Sequence, residues 1–144
     1  MDIMQADDSI RSQIAEEYGD VAERHLHFED GFTLIAIDEG RIAGFASFVW
    51  RNLVKPLDNL TECFIDIIET RSDYRRKGIA RRLLETAEEH ARSKGAYQLR
   101  SWSSVDKVEA LPMWVALQFG LAPAVVYPGG KEVHGYFVTK ICIP

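Results

Sequence analysis

The most restrictive run in this 144-residue sequence lies between Glu62 and Trp102, where an apolar stretch, a basic turn, an amphipathic stretch and a second β-rich stretch follow one another. Glu62-Cys-Phe-Ile-Asp-Ile-Ile-Glu69 is apolar except for its carboxylates, which predicts a strand covered on both faces. Ile79, Leu83, Ala87 and Ala91 then repeat at helical spacing, Ala80 and Leu84 widen the stripe, and Lys94-Gly95 supplies a stop. Ala96 to Trp102 reads as another strand. Strand, crossover helix and strand in this order form a βαβ unit, whose two strands must run parallel. The expected class is therefore α/β, in the α+β sense of a central mixed sheet with one parallel pair flanked by helices.

The junction between the first strand and the helix, Arg71 to Arg82, carries Arg71, Arg75, Arg76, Lys77, Arg81 and Arg82 against Asp73, a net of +5 in a chain of net charge −5. The first backbone N–H groups of a helix have no carbonyl partners within it, and the macrodipole adds roughly half a positive charge there. Gly78 and Ala80 keep bulky side chains away from those groups. Such local concentration in an acidic protein points to an anionic ligand at this turn. It does not resemble the broad basic face of a nucleic-acid binder.

At this length, with 47% hydrophobic residues, the chain is expected to form one domain, residues 1–144. No apolar segment approaches the ~20 residues of a membrane span, and the start Met-Asp-Ile-Met-Gln-Ala-Asp-Asp lacks a signal core, so the expected location is cytoplasmic, with no membrane partner. Cys63 and Cys142 are too few and too far apart for a disulfide framework or a metal cluster, and are expected to be reduced. Ser9 is a plausible N-cap for a helix bearing Ile10, Ile14 and Tyr18 and ended by Gly19; Val21, Ala22 and His25 continue into a second short helix. His25 and His27 are two apart, not at the i, i+4 spacing of ligands on one helical face. They read as surface or cap histidines with no carboxylate constellation around them.

Phe32 to Ile37 and Ile42 to Trp50, joined by Asp38-Glu-Gly-Arg41, form a hairpin, followed by a loop from Asn52 to Asn59. In the strand that comes next, alternation places Glu62, Phe64, Asp66 and Ile68 on one face and Cys63, Ile65, Ile67 and Glu69 on the other. An acid inside an apolar run lines a wet cleft or marks a solvated or ion-paired site; the apolar residues flanking Asp66 favour the cleft. Pro112 must lie in the first turn of its helix, so that helix starts near Val108 to Ala110 and runs through Met113, Trp114, Leu117 and Phe119 to Gly120. Ala124 to Tyr127, Pro128-Gly-Gly130 and Val133 to Ile141 make a closing antiparallel hairpin.

Arg75, Gly78 and Ala80 match the Gln/Arg-x-x-Gly-x-Gly/Ala signature of the GNAT superfamily of acyl-coenzyme A dependent N-acyltransferases, and the order of elements from about Phe32 to Ile141 resembles that family. The resemblance implies acetyl-CoA as co-substrate and no metal. Its pyrophosphate would rest on the turn around Arg75, Arg76, Lys77, Gly78, Ile79, Ala80 and Arg81. Its pantetheine arm would pair with the preceding strand near Ile68 and Thr70, where a backbone N–H can also steady an oxyanion. A strand carboxylate would take the proton of the acceptor amine, with Asp66 and Glu62 as candidates.

Two departures from the family pattern stand out. A tyrosine commonly lies four residues before the glycine that ends the penultimate helix, as general acid for the thiolate; counting back from Gly120 gives Ala116. Trp114 is nearby, but an indole N–H is too weak an acid, which leaves Tyr127, Ser103, Ser104 or water. The family's first strand is missing or reduced to a few residues before Ser9, so that edge is altered or completed by a partner. The implied activity is N-acetylation of a primary amine on a small molecule or peptide, the alternative being a non-catalytic acyl-CoA binding or sensing domain. The acidic remainder of the chain hints at a cationic acceptor, and a homodimer is left open.

Overall fold

Alternating and continuous apolar runs give this chain seven strands and four helices in the computed structural model, which describes residues 1–142. In chain order these are β1 (Asp2–Ala6), α1 (Arg11–Tyr18), α2 (Asp20–Arg24), β2 (Gly31–Asp38), β3 (Arg41–Asn52), β4 (Thr61–Thr70), α3 (Ile79–Ser93), β5 (Gln98–Ser104), α4 (Ala110–Ala116), β6 (Gly120–Val126) and β7 (Val133–Ile141). The strands form one sheet of order β1-β2-β3-β4-β5-β7-β6. Among the described residues only β4 and β5 pair in parallel, as the βαβ reading requires. Among the described residues no helix is long and apolar enough to cross a membrane.

Each face of the sheet has its own core. The α3 stripe of Ile79, Leu83, Leu84, Ala87 and Ala91 packs with Trp114, Leu117 and Phe119 against Phe32, Phe48, Cys63, Ile65, Leu99 and Val138. On the other face Ile14 and Ala22, from α1 and α2, cover Ile35, Ile42 and Phe45. Burying a side chain of this size contributes about 1.5–3 kcal/mol.

Strict alternation along β4 fails at one residue. Ser47 pairs with Ile67 and Phe48 with Ile65, so Asp66 is an extra residue with no partner on β3. Such a bulge reverses the facing of everything beyond it. Ile68 accordingly packs with Cys63 and Ile65 beneath α3, while Ile67 joins the cluster beneath α1 and α2. Alternation predicts Ile68 beside Glu62, Phe64 and Asp66; the bulge turns it to the opposite face.

Three further expectations are revised at element ends. Asp7, not Ser9, caps the first helical turn, its Oδ1 accepting from the Ser9 backbone N–H at 3.0 Å. The first strand is reduced to a few residues before Ser9, as one of the two readings has it; what is revised is the edge, since all of β1 pairs with β2, from Asp2↔Ile37 to Ala6↔Thr33, and this chain forms it itself. α4 keeps Pro112 in its first turn as expected but stops at Ala116. The Gln118 N–H donates to the Val115 carbonyl and the Phe119 N–H to the Trp114 carbonyl, each at 3.0 Å. This is a Schellman closure with Gln118 at φ 68° where glycine is usual, and the Trp114 and Phe119 rings meet at 4.8 Å behind it. The chain is then free to start β6 at Gly120, ahead of the Ala124 start read from sequence.

The two halves of the sheet are joined by little backbone. β4 and β5 share only the pairs Glu62↔Gln98, Cys63↔Leu99 and Phe64↔Arg100. Across this junction Glu62, 2% exposed, accepts from Arg100 Nε at 2.8 Å, Arg100 Nη2 at 2.6 Å and Gln98 Nε2 at 2.8 Å. Burial alone would raise the Glu62 pKa, but the bonds from Arg100 and Gln98 outweigh it and hold the carboxyl below its ordinary 4.5.

Glu62→Gln leaves the Arg100 guanidinium without its counter-charge and is expected to cost about 3 kcal/mol in denaturant unfolding, the low end for a broken buried pair because Arg100 keeps some solvent. A folded pKa below 4.5 means that this contribution is complete above that pH and is lost as pH falls through the folded value, so the variant should also lose part of the wild-type acid sensitivity. Gln118→Gly, by relieving the left-handed side chain, is expected to stabilise by about 0.5–1 kcal/mol and to raise the melting temperature by about 2–5 °C.

Candidate functional site

Past Phe64 and Arg100 the two parallel strands part. β4 stays with β3 as far as Thr70, β5 stays with β7 as far as Ser104, and Ser101 Oγ donates to the Ile65 carbonyl at 2.8 Å where they diverge. Among the described residues no strand pairs with the β5-facing side of Asp66 to Thr70. The fork opens into a cavity of about 820 Å³ between the end of β4, the start of α3 and the start of α4.

Of the residues that the sequence assigns to a coenzyme, Ile68, Thr70, Arg75, Arg76, Gly78, Ile79, Ala80 and Arg81 all line this cavity. Lys77 does not; its Nζ lies 5.0 Å from the centre of the Tyr74 ring. The opposite wall, Asp106 to Ala110 with Met113, is a part of the lining that sequence reading treats only as a helix start. The turn is bent by two left-handed residues, Arg76 at φ 66° and Gly78 at φ 76°. A Cβ on Gly78 would meet no protein atom within 4 Å, so glycine answers here to the sign of φ and leaves the cavity mouth clear. No side chain caps α3, whose first N–H groups are thus available to an anion.

Asp66 stands on the other face of the fork. Its Oδ2 lies 2.7 Å from His27 Nε2 and 3.3 Å from His25 Nδ1. His27 Nδ1 in turn lies 3.0 Å from Asp30 Oδ2, and the His27 backbone is fixed by its N–H to Ser47 Oγ at 2.7 Å and by Thr33 Oγ1 to its carbonyl at 2.8 Å. The expectation of histidines without a carboxylate constellation is therefore overturned. A carboxylate only accepts, so the His27 ring completes both contacts only with a proton on each nitrogen. No three His, Cys, Asp or Glu side chains among the described residues are arranged to hold a metal ion.

The other candidates separate from this centre. Glu62 faces the same side as Asp66, but both of its oxygens are engaged by Arg100 and Gln98. Burial pushes both the Cys63 and Cys142 thiols up, against thiolate chemistry. The left-handed residue ending α4 is Gln118, not Gly120, so the position four residues before it is Trp114 and not Ala116. Trp114 is 2% exposed, and its Nε1 is the one buried side-chain nitrogen or oxygen without a hydrogen-bond partner among the described residues. Tyr127 is exposed at the end of β6, and Ser103 is buried.

Known proteins share this fold. The family model described as "Acetyltransferase (GNAT) family" matches residues 2–119. No curated protein matches the sequence. Among solved structures, an aminoglycoside 6'-N-acetyltransferase complexed with coenzyme A superposes with a TM-score of 0.73 at 18% identity, covering 100% of this chain and 98% of that one. The ribosomal-protein-S18-alanine N-acetyltransferase from Escherichia coli gives 0.75 at 18% identity, covering 99% and 94%. Arabidopsis thaliana NAA60 in complex with acetyl-CoA gives 0.78 at 12% identity, covering 97% of each chain.

Proposed function

The chain belongs to the acetyltransferase (GNAT) family, and we propose that it transfers an acetyl group from acetyl-CoA to a primary amine, with the coenzyme in the fork and Asp66 receiving the amine. The observation that carries this reading is the fork itself, which joins a free β4 edge and the uncapped start of α3 to Asp66 across one bulge. Arg75, Arg76 and Arg81 would meet the anionic end, the N–H groups that open α3 would hold phosphate oxygens, and the free edge at Ile68 to Thr70 would pair with an extended arm. Bound there, acetyl-CoA supplies a thioester that an unprotonated amine can attack to give an amide and a free thiol.

An ammonium with a pKa near 10 must lose a proton before it can attack. Asp66 Oδ2 is occupied by the histidines, while Oδ1 takes no hydrogen bond from the described residues and can accept from the ammonium. His27 holds that carboxylate in place, and the Asp66 side chain, 22% exposed, passes the proton on to water. Glu62 is a fixed strut of the sheet in this reading. A backbone N–H of the unpaired β4 edge would steady the developing oxyanion.

Asp66→Asn is expected to lower kcat/KM for the preferred amine by about 10²–10⁴-fold, with acetyl-CoA affinity retained in calorimetry. Gly78→Glu should abolish acetyl-CoA binding, whereas Arg82→Ala, whose Nη1 donates to the Met1 carbonyl outside the cavity, should change it by no more than about threefold, less than 1 kcal/mol. Equal affinities for those two variants would remove the coenzyme assignment. Tight binding with no turnover of any amine would favour the non-catalytic acyl-CoA binding domain.

A further inference from the structure

The face of the sheet that carries Asp66 is only partly covered. The apolar cluster beneath α1 and α2 reaches β4 at Ile67 and goes no further. Phe64, Trp102 and Phe137, from β4, β5 and β7, lie outside both hydrophobic clusters and are each half-buried. They form a continuous floor. The Trp102 and Phe137 rings meet at 5.1 Å, and Arg100 bridges Phe64 and Phe137, its guanidinium carbon 5.0 and 5.4 Å from their centres.

Gly135 is what lets the floor lie flat. A Cβ there would come within 2.8 Å of the Trp102 ring and 2.4 Å of the Ser103 carbonyl oxygen, so the indole occupies the space a β7 side chain would fill.

The charge on this floor is unbalanced. Arg100 is neutralised by Glu62; Arg51 stands opposite Glu62 on β3, but no hydrogen bond joins the two among the described residues. The Arg51 guanidinium lies 4.1 Å above the Phe64 ring, exposed, and makes no ion pair among the described residues. At the other end of the same face the free Oδ1 of Asp66 is acidic. A β-rise of about 3.3 Å per residue separates Phe64 from Asp66 by roughly 7 Å.

We propose that the acceptor is a primary amine on a planar aromatic body that carries an anionic group roughly 7 Å from the nitrogen. Its ring lies on Trp102 and Phe137, its anion meets Arg51 above Phe64, and its ammonium meets Asp66. This rests on the assignment of the amine to Asp66. The guanidinium already stacked on Phe64 is held for an in-plane contact with a carboxylate or phosphate, and the aromatic faces favour a ring over a flexible chain. An α-amino acid, with both charges on one carbon, does not span the distance. A polyamine would place a second cation against Arg51.

The test compares kcat/KM at saturating acetyl-CoA for 4-(2-aminoethyl)benzoate, 2-phenylethylamine, phenylalanine and spermidine, with the wild type, Arg51→Ala and Trp102→Leu. The wild type should prefer the benzoate to 2-phenylethylamine by about tenfold, the scale of one charge-assisted contact, and both to phenylalanine and spermidine. Arg51→Ala should erase the first difference, and Trp102→Leu should narrow the advantage of the two aromatic amines over spermidine. Preference for spermidine, or a benzoate advantage that survives Arg51→Ala, overturns the inference while leaving acetyl transfer intact. Failure of all four amines with acetyl-CoA still bound counts against the transfer reaction itself, and the inference falls with it.

Discussion

A single buried carboxylate holds this sheet together where its backbone hardly does. β1 to β4 form one ladder and β5, β7 and β6 another, and only three residue pairs join them. Glu62 spans that short junction with bonds to two β5 side chains, Gln98 and Arg100. Hydrophobic packing could supply similar stability, but it defines the alignment of two strands less sharply than a paired charge does. A bidentate guanidinium is not, because its fork matches a carboxylate in one alignment only. The pair therefore fixes where the strands stop running together, and hence where the opening begins.

The second determinant is the extra residue at Asp66. Without it, Ile68 would face away from α3 and the start of the cavity would lose its apolar wall. With it, a carboxylate and an isoleucine two positions apart serve opposite faces of one strand. Cavity side and histidine side thus meet at a single backbone irregularity, a common use of bulges near reactive centres.

Much of this was legible in the residues. α3, the β2–β3 hairpin and the basic turn followed from periodicity, and the turn assignment reached nearly every cavity residue on its side of the fork. The bulge was not legible, because an unbroken apolar run carries no mark of a skipped pairing. Nor was the Asp66–His27 contact, whose partners are 39 residues apart and meet only when the loop after α2 folds over β4. Glu62 and Asp66 looked alike as acids in one strand; Arg100, on a parallel neighbour, makes them different. The end of α4 misled for a local reason: Gln118 adopts the conformation that a glycine two residues later advertised. Pro123 similarly hid the first half of β6, since proline argues against a strand except at an edge, which is where β6 lies.

The parting of β4 from β5 leaves the large cavity beside α3 and α4 and Asp66 on the other face of the sheet. A blind pocket has one mouth, so the molecule that enters first must wait behind the one that enters last. Here the large cavity opens beside α3 and α4, while Asp66 and the aromatic floor are reached from the opposite surface. In the proposed transfer, coenzyme and amine would approach from opposite surfaces, and neither would have to leave before the other.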